Sequence, residues 1–270
     1  MMLRPTRTKP DTGVVTRNYR QHPRYRGCIG HWLFSYGGGT KVWDISGSRF
    51  HGSLTNMDPS TDWVPGPFGG PALDFDGTND EVDCGATPAI QSLSRITVSC
   101  WFKVSAAGRG DLVSQWGSSA WHFLLEQGLT ADRLKFWVGN GGGFANSGSG
   151  DTPLNQTDWF HGVGTYDGAV VRVYVNGVED SSNASIGQMD SVTSSTVRFS
   201  GTEDSNPHTG VIDEVRIYNR ALTANEVVSL YRDPYLEFRR RPVWWNAPVV
   251  AGGLSIPVAM HNYRRRRVSA

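Results

Sequence analysis

The feature that most constrains this fold is a nine-residue run in which every second residue is apolar. One face of the run is apolar throughout: Ile96, Val98, Cys100, Phe102 and Val104. A period of two is that of a β-strand, because successive strand side chains point to opposite faces of a sheet. The run therefore predicts a strand that buries one face in an apolar core.

Two dipeptides further along the chain predict hairpins. Asp167-Gly168 lies between the apolar stretches 161–166 and 169–175, and Asn176-Gly177 follows the second stretch directly. Asp-Gly and Asn-Gly supply the positive φ angles that type I′ turns require. Many other short apolar segments are separated by glycine-rich turns, with no alternation of strands and helices. This pattern predicts an all-β fold, a two-sheet antiparallel jelly-roll sandwich.

One short helix is predicted near the C-terminal end, over residues 224–231. Thr223 and Glu226 have the spacing of a capping box, and Leu222 and Val227 have that of a hydrophobic staple. These signals mark where a helix begins, so we expect one helix after the last strand.

The net charge of +1 hides a strong asymmetry along the chain. Residues 1–26 carry seven Lys/Arg against one acid, and residues 232–270 carry eight against two. The stretch between them, 27–231, carries 11 against 22. We therefore divide the chain into a basic extended N-terminal arm (1–26), an acidic sandwich (27–232) and an Arg/Trp/Pro-rich C-terminal arm (233–270). The N-terminal arm has no apolar period, so we expect that it cannot bury itself.

Neither a membrane span nor a secretory signal is expected. No apolar run approaches the roughly 20 residues of a transmembrane helix, and residues 1–26 contain no apolar core of a signal peptide. The three cysteines, Cys28, Cys84 and Cys100, are too few and too scattered for a disulfide framework.

Four segments of the chain resemble motifs of the laminin-G-like (concanavalin A-like lectin/glucanase) domain family, and they occur in the family's order. They are LDFDGTNDEVD at 73–83, ITVSCWFKV at 96–104, VRVYVNG at 171–177 and GVIDEVRIYNRAL at 210–222. The resemblance covers about residues 27–232 and implies the same two-sheet jelly roll. It does not fix a ligand, because folds of this kind serve many functions.

The resemblance also implies a calcium ion that ties an early loop to the last strand. Asp76, Asn79 and Asp213 fall on the matching segments. Carboxylate and amide oxygens are the ligands that Ca²⁺ prefers, so we expect these three to hold a structural ion. The alternative is that Asp76 is a turn residue and Asp213 a hydrogen-bonded acid at a strand end.

A glycosidase site is not expected. Glucanases of this fold use paired acids, and Asp74/Asp76 and Glu81/Asp83 do share a strand face in pairs. However, the arrangement of three acids on one strand, Glu-x-Asp-x(-x)-Glu, is absent. The prediction is therefore a binding protein and not an enzyme.

Three tryptophans are candidates for a sugar-stacking surface: Trp116, Trp121 and Trp137, with Trp159 as a further possibility. Their flat rings present the apolar surface on which sugar rings stack. A two-layer sandwich also buries tryptophan, so packing in the core is the alternative for each of them.

The two arms are predicted to contact neighbouring protein subunits. In the C-terminal arm, arginines would pair with acidic surfaces and two tryptophans would serve as buried anchors. The residues assigned this role are Arg239, Arg240, Arg241, Trp244, Trp245, Arg264, Arg265, Arg266 and Arg267. Nucleic acid is a less favoured partner for the same residues, and no membrane is expected.

Three functions follow from these expectations. The leading hypothesis is a non-enzymatic module, mounted by its arms on a large assembly such as a phage-like virion, that binds glycans with its acidic body. The second is a free, extracellular carbohydrate-binding lectin. The third, least favoured, is a glycoside hydrolase, and it would depend on Glu81 or Asp83.

Overall fold

The computed structural model describes residues 8–10 and 19–238, apart from 87, 118–119, 129–131, 142, 185–186, 192–194 and 202–205. Within this part of the chain the strands are β1 Cys28–Trp32, β2 Lys41–Val42, β3 Gly52–Thr55, β4 Trp63–Pro65, β5 Pro71–Asp76, β6 Glu81–Asp83, β7 Ile96–Val104, β8 Gly110–Gly117, β9 Ala120–Gly128, β10 Arg133–Gly139, β11 Phe144–Asn146, β12 Phe160–Tyr166, β13 Val170–Val175, β14 Val178–Ala184, β15 Arg198–Phe199 and β16 Thr209–Tyr218. The helix α1 is Ala224–Arg232, and short 3₁₀ helices lie at Tyr19–Gln21, Pro23–Tyr25 and Leu236–Phe238.

The strands form two antiparallel sheets. The first sheet has the order β14-β13-β12-β7-β16-β5-β4, with β1 also paired to β16. The second sheet has the order β11-β10-β9-β8-β15-β6-β3-β2. Sequence neighbours such as β12, β13 and β14 are joined by hairpins, whereas β7 and β16 pair across more than 100 residues. The predicted all-β sandwich of two antiparallel sheets is confirmed.

The inter-sheet core contains the apolar face that the alternation predicted. Val98, Cys100 and Phe102 of β7 are fully buried against Phe123 of β9 and Phe136 of β10. Each fully buried side chain of this size stabilises the fold by roughly 1.5–3 kcal/mol relative to exposure. The core therefore fixes how the two sheets face each other.

The two predicted hairpins differ in outcome. Asn176 and Gly177 have φ angles of 52° and 84°, so a type I′ turn is confirmed there. At the other hairpin only Gly168 has a positive φ, 97°. The Asp167 carboxylate accepts hydrogen bonds from the backbone N–H groups of Ala169 and Val170, at 2.9 and 2.8 Å. The turn centre is thus Gly168-Ala169, one residue later than predicted, with glycine first as in type II′ turns.

The helix α1 begins as predicted. The Thr223 side chain accepts from the N–H of Glu226, and the Glu226 carboxylate accepts from the N–H of Thr223, which completes the capping box. Leu222 and Val227 are both buried, together with Tyr218 of β16. The helix therefore packs on the first sheet, on the face opposite the inter-sheet core.

The rest of that outer face is covered by the two ends of the described chain. Trp101 lies on β7 opposite the core-facing residues and is nevertheless buried, with its ring 4.8 Å from that of Phe68. Tyr19, Tyr235 and Phe238 are buried in the same cluster. The inner ends of both predicted arms thus contribute buried residues to this cluster. The division of the chain into two arms and a sandwich stays a prediction.

Buried ion pairs fasten these ends to β16. The Lys9 ammonium donates to Asp213 Oδ1 at 2.5 Å and to the carbonyl of Pro71 at 2.6 Å. Arg216 pairs with Glu237 at 2.7 Å, and Glu237 also lies 3.4 Å from Arg24. All of these charged side chains are buried. The N-terminal segment is thus held by charge as well as by apolar contact, which its composition did not predict.

Two further expectations concerned the cysteines and membrane-spanning segments. All three cysteines are free thiols, and Cys84 and Cys100 are buried. Among the described residues, no helix combines the length and the apolar character of a membrane span.

Candidate functional site

Four aromatic rings form a cluster on the second sheet, and we call Trp116, Trp121, Trp137 and Phe144 the aromatic cluster. The rings of Trp116 and Trp121 are stacked, with centroids 6.0 Å apart and an interplanar angle of 26°. Phe144 lies edge-on to both Trp121, at 5.6 Å, and Trp137, at 5.2 Å. The structure therefore brings the three predicted tryptophans together.

Strand register explains why these residues meet. Trp116 of β8 pairs with Trp121 of β9, next to an irregularity in the ladder at Gln115/Trp116. Phe144 of β11 pairs with Gly139 of β10, two residues beyond Trp137 on the same strand face. The aromatic side chains of four consecutive strands thus converge at one end of the sheet.

Gly139 is the position at which the backbones of β10 and β9 come closest beside the cluster. A Cβ atom at this position would lie 1.9 Å from the carbonyl oxygen of Trp121 and 2.7 Å from Asp190 Oδ2. Any side chain there would push β10 away from β9. The glycine therefore lets the strands carrying Trp121 and Trp137 approach.

The cluster is graded from buried to exposed. Trp116 is only 9% exposed, Trp121 and Trp137 are half-buried, and Phe144 is 52% exposed. Trp116 thus serves as the floor, and the other rings present apolar surface to solvent. Phe144 was missed in the sequence because it lies in the Gly/Ser/Asn-rich stretch 139–150, which reads as a loop but contains β11.

Polar side chains fix the orientation of Trp137. Its indole N–H donates to Glu126 Oε1 at 2.7 Å, and Arg109 pairs with the other oxygen of Glu126 at 2.8 Å. The Lys135 ammonium lies 5.8 Å from the centre of the Trp137 ring, within the range of a cation–π contact. Trp137 is therefore held in one orientation by its polar neighbours.

His122, the neighbour of Trp121 in the chain, carries no charge at neutral pH. His122 is buried, and burial lowers its pKa to about 4. Its Nδ1 atom lies 2.8 Å from Gln115 Oε1, within hydrogen-bonding distance. The imidazole thus contributes a polar contact and no charge, so the apolar rings dominate the chemistry of the surface.

The three predicted calcium ligands do not converge. Asp76 pairs with Thr209, four residues before Asp213 on β16, which places the two acids about 13 Å apart along the strand. Asp213 binds Lys9, as described above. Asn79 is exposed, and its carbonyl oxygen accepts from the Asn56 side chain at 3.0 Å.

Asp76 instead lies among other acids. The pKa of Asp80 is raised by its burial and then by repulsion from Asp76, Asp62 and Asp74. Its Oδ2 atom accepts from the N–H of Asp76 at 3.0 Å. Over the described residues, no group of three His, Cys, Asp or Glu has the geometry of a metal site. Calcium binding stays a prediction.

The acid pairs considered for glycosidase chemistry are used in other contacts. Glu81 lies 3.3 Å from Arg198, and burial raises its pKa. Asp74 also has a raised pKa, caused by burial and then by Asp62. Neither pair adjoins the aromatic cluster in the sheet order, since β5 belongs to the first sheet and β15 lies between β6 and β8, the nearest strand of the cluster.

The remaining predicted site residues, Trp159 and those of the C-terminal arm, do not belong to the aromatic cluster as described. Trp159 is partly buried against the cluster of Trp101 and Phe238 and does not join the aromatic cluster. The predicted partner-binding residues of the C-terminal arm, from Arg239 to Arg267, lie outside the described residues.

Comparison with solved structures gives neighbours of the same fold. Domain 4 of AbnA, an extracellular arabinanase from Geobacillus stearothermophilus, in complex with arabinotriose, has a TM-score of 0.61 at 21% identity; the match covers 76% of this chain and 98% of that one. The binding domain of botulinum neurotoxin serotype D has a TM-score of 0.59 at 13% identity, over 78% and 51%. A Trypanosoma rangeli sialidase has a TM-score of 0.57 at 16% identity, over 78% and 33%.

One curated protein is similar over a shorter stretch. The β subunit of an N,N-dimethylformamidase from Alcaligenes sp. is 30% identical over 92 residues, which are 32% of this chain. The match spans only 12% of that subunit's length, so this chain resembles one part of it.

A family model covers more than half of the chain. It is the laminin-G-type model described as the concanavalin A-like lectin/glucanases superfamily, and it matches residues 76–228. That range contains the whole of three of the four sequence segments that resemble the family, and part of the first. It also contains the strands β6 to β16 and the start of α1. The chain therefore belongs to the concanavalin A-like lectin/glucanase superfamily.

Proposed function

We propose that this protein is a non-enzymatic glycan-binding module and that the aromatic cluster is its binding surface. The observation that carries the proposal is the convergence of Trp121, Trp137 and Phe144 as partly exposed rings above a buried Trp116. Sugar rings have apolar faces that stack on such rings, while their hydroxyl groups bond to polar neighbours. Glu126, Arg109 and Lys135 are the polar groups beside the rings.

The superfamily and the neighbours support the same ligand class. The arabinanase domain with the same fold was solved with arabinotriose bound. Because the identity to it is 21%, the likeness supports the fold and makes a short oligosaccharide a reasonable first probe. The two acid pairs that would serve hydrolysis lie elsewhere, so binding is favoured over catalysis.

The experiment is calorimetric titration of the full chain with arabinotriose, preceded by a glycan array to identify better ligands. Trp137→Ala and Phe144→Ala each remove a ring and should weaken binding at least tenfold, the effect of losing more than about 1.4 kcal/mol. Trp159→Ala, which removes a partly buried tryptophan that does not belong to the cluster, is the matched control. Unchanged affinity in both cluster variants would overturn the assignment.

We further propose that the chain is mounted on a large assembly, such as a phage-like virion, by its two basic arms. Tyr19 and Phe238, the inner ends of the two arms, have ring centroids 5.0 Å apart. Residues 239–270 carry seven arginines and no acid. The inner ends of the two arms therefore lie side by side on the acidic body. This placement favours a single attachment to an acidic partner surface.

The mounting proposal is tested separately from glycan binding. The full-length triple variant Arg239→Ala, Arg240→Ala, Arg241→Ala should lose co-sedimentation with the native particle and keep its glycan affinity. Co-sedimentation that is unchanged by these substitutions and by added salt would overturn attachment through the arm arginines. No co-sedimentation of the unsubstituted chain would favour a free, extracellular lectin instead.

A further inference from the structure

A second aromatic surface lies at the other end of the second sheet, beside β2. An open groove at this end is lined by side chains that include Phe34, Tyr36, Lys41, Val42, Trp43 and Trp63. Tyr36 is 59% exposed and Trp43 is 42% exposed, and both are among the few large apolar side chains of the described residues that face solvent. Their ring centroids are 6.0 Å apart.

The two tryptophans of the groove, Trp43 and Trp63, are held in place by the structure around them. Trp43 packs edge-on against His51, with centroids 4.6 Å apart, and the His51 ring accepts a hydrogen bond from the backbone N–H of Asp44 at 3.0 Å. On the other wall, the indole N–H of Trp63 donates to the carbonyl of Gly39 at 3.0 Å. The groove is therefore preorganised, which reduces the entropy lost on binding.

The charge at this groove is opposite to that of the body. Among the described lining residues Lys41 is charged and none is acidic. The Arg20 guanidinium donates to the carbonyl of Ile45, at 3.0 Å, at the edge of the same groove. Two acids adjoin lining residues in the chain. Asp44 is buried, and its Oδ1 and Oδ2 atoms accept hydrogen bonds from backbone N–H groups, including those of Ser46 and Phe50. Asp62, next to Trp63, is half-buried, and its carboxylate accepts from the N–H of Asp58 at 2.6 Å and from the Thr61 hydroxyl at 2.8 Å.

The size of the surface argues against a protein partner. The exposed parts of the two rings amount to roughly 100 Å² each, whereas a stable protein interface buries about 800 Å² on each partner. One or two sugar rings match the smaller area. We therefore propose that this groove is a second carbohydrate subsite, selective for a sugar that carries a carboxylate, with Tyr36 and Trp43 stacking on the ring and Lys41 pairing with the acid group.

This subsite is distinct from the aromatic cluster. Five strand-to-strand steps separate β2 from β9 in the second sheet, or about 24 Å at the usual spacing. The two surfaces are therefore too far apart to hold one monosaccharide, and each can be tested while the other is intact. The proposal adds a site to the proposed function and does not depend on it.

The test is NMR titration of the ¹⁵N-labelled full chain with methyl glucuronide and with methyl glucoside, which differ only in the carboxylate. At about 10 mM ligand, ten times a Kd of about 1 mM, the glucuronide should shift the indole signal of Trp43 and the glucoside should shift it less. Trp43→Ala should abolish the response of the remaining indole of the groove, that of Trp63. Lys41→Gln should weaken glucuronide binding about fivefold and leave glucoside binding unchanged.

The outcomes distinguish this proposal from the previous one. Shifts confined to the indoles of Trp121 and Trp137 would overturn the second subsite and leave the aromatic cluster supported. Equal responses to both sugars would overturn the selectivity for a carboxylate. No response at Trp43 would overturn the subsite itself. Tyr36→Ala, at the most exposed of the lining rings, gives a second test if Trp43→Ala does not fold, and Phe144→Ala is the control at the other site.

Discussion

The contact between Lys9 and Asp213 offers the sharpest test of how the chain is held together. The two residues are 204 positions apart, and both side chains are almost completely buried. Lys9→Met keeps the length and apolar stem of the side chain and removes its charge. The Asp213 carboxylate is then left in the interior without its counter-ion. Its other oxygen, Oδ2, cannot compensate, because it has no hydrogen-bond partner among the described residues.

The expected loss of stability is large. Removing one partner of a buried ion pair costs about 3–5 kcal/mol, because the remaining charge stays desolvated. For a domain of this size each kcal/mol lowers the melting temperature by about 2–4 °C. Lys9→Met should therefore lower the melting temperature by roughly 6–20 °C at pH 8, well above the effect of an ordinary surface substitution.

The loss should also depend on pH, with a definite sign. Burial raises the pKa of Asp213 to about 7, even though Lys9 acts to lower it. A carboxyl group whose pKa is higher in the folded state contributes most stability at low pH and loses it as the pH rises towards the folded pKa. Without Lys9 that pKa rises further. The destabilisation by Lys9→Met should therefore be small near pH 5 and grow through pH 7 to 9.

Thermal and urea unfolding of the full chain at pH 5 and pH 8 measure these effects. Lys41→Met is the matched control, because it makes the same chemical change at an exposed lysine. Adding Asp213→Asn to Lys9→Met removes the unpaired charge and should recover most of the loss at pH 8. If Lys9→Met is no more destabilising than the control, or if its effect is the same at both pH values, the buried pair is not the anchor of the N-terminal segment.

Three further predictions follow from the structure. Thr223→Ala removes the side-chain half of the capping box and should cost about 1 kcal/mol, or about 3 °C in melting temperature; no change would mean that α1 is held by packing alone. Gly164→Ala would place a Cβ atom 2.2 Å from the buried Phe136 ring and should cost about 1–3 kcal/mol, measured by urea unfolding; an unchanged midpoint would show that the core rearranges without cost. If calcium binds near Asp76, saturating Ca²⁺ should raise the melting temperature of EDTA-treated protein by several degrees, and Asp76→Asn should abolish the rise; no rise in the original chain contradicts calcium binding.

The candidate site was partly accessible to sequence reasoning. Trp116, Trp121 and Trp137 could be proposed because tryptophan on short strands is either core or a binding surface. Phe144 could not, since glycine and serine around it conceal a three-residue strand. Tyr36 and Trp43 also gave no signal as a pair, because their proximity depends on how the chain around Phe34 and Val42 packs against the core.

The sequence by itself determined the local elements, because each depends on neighbours along the chain. Alternation placed β7, glycine and asparagine placed the turn at Asn176-Gly177, and the spacing of Thr223 and Glu226 began α1. Only the tertiary structure decided what covers the outer face of the first sheet. The alternation in β7 suggests one polar, exposed face, yet Trp101 is buried there by residues from both ends of the chain. Contacts such as Lys9 with Asp213 depend on long-range packing and desolvation, which no pattern of neighbouring residues encodes.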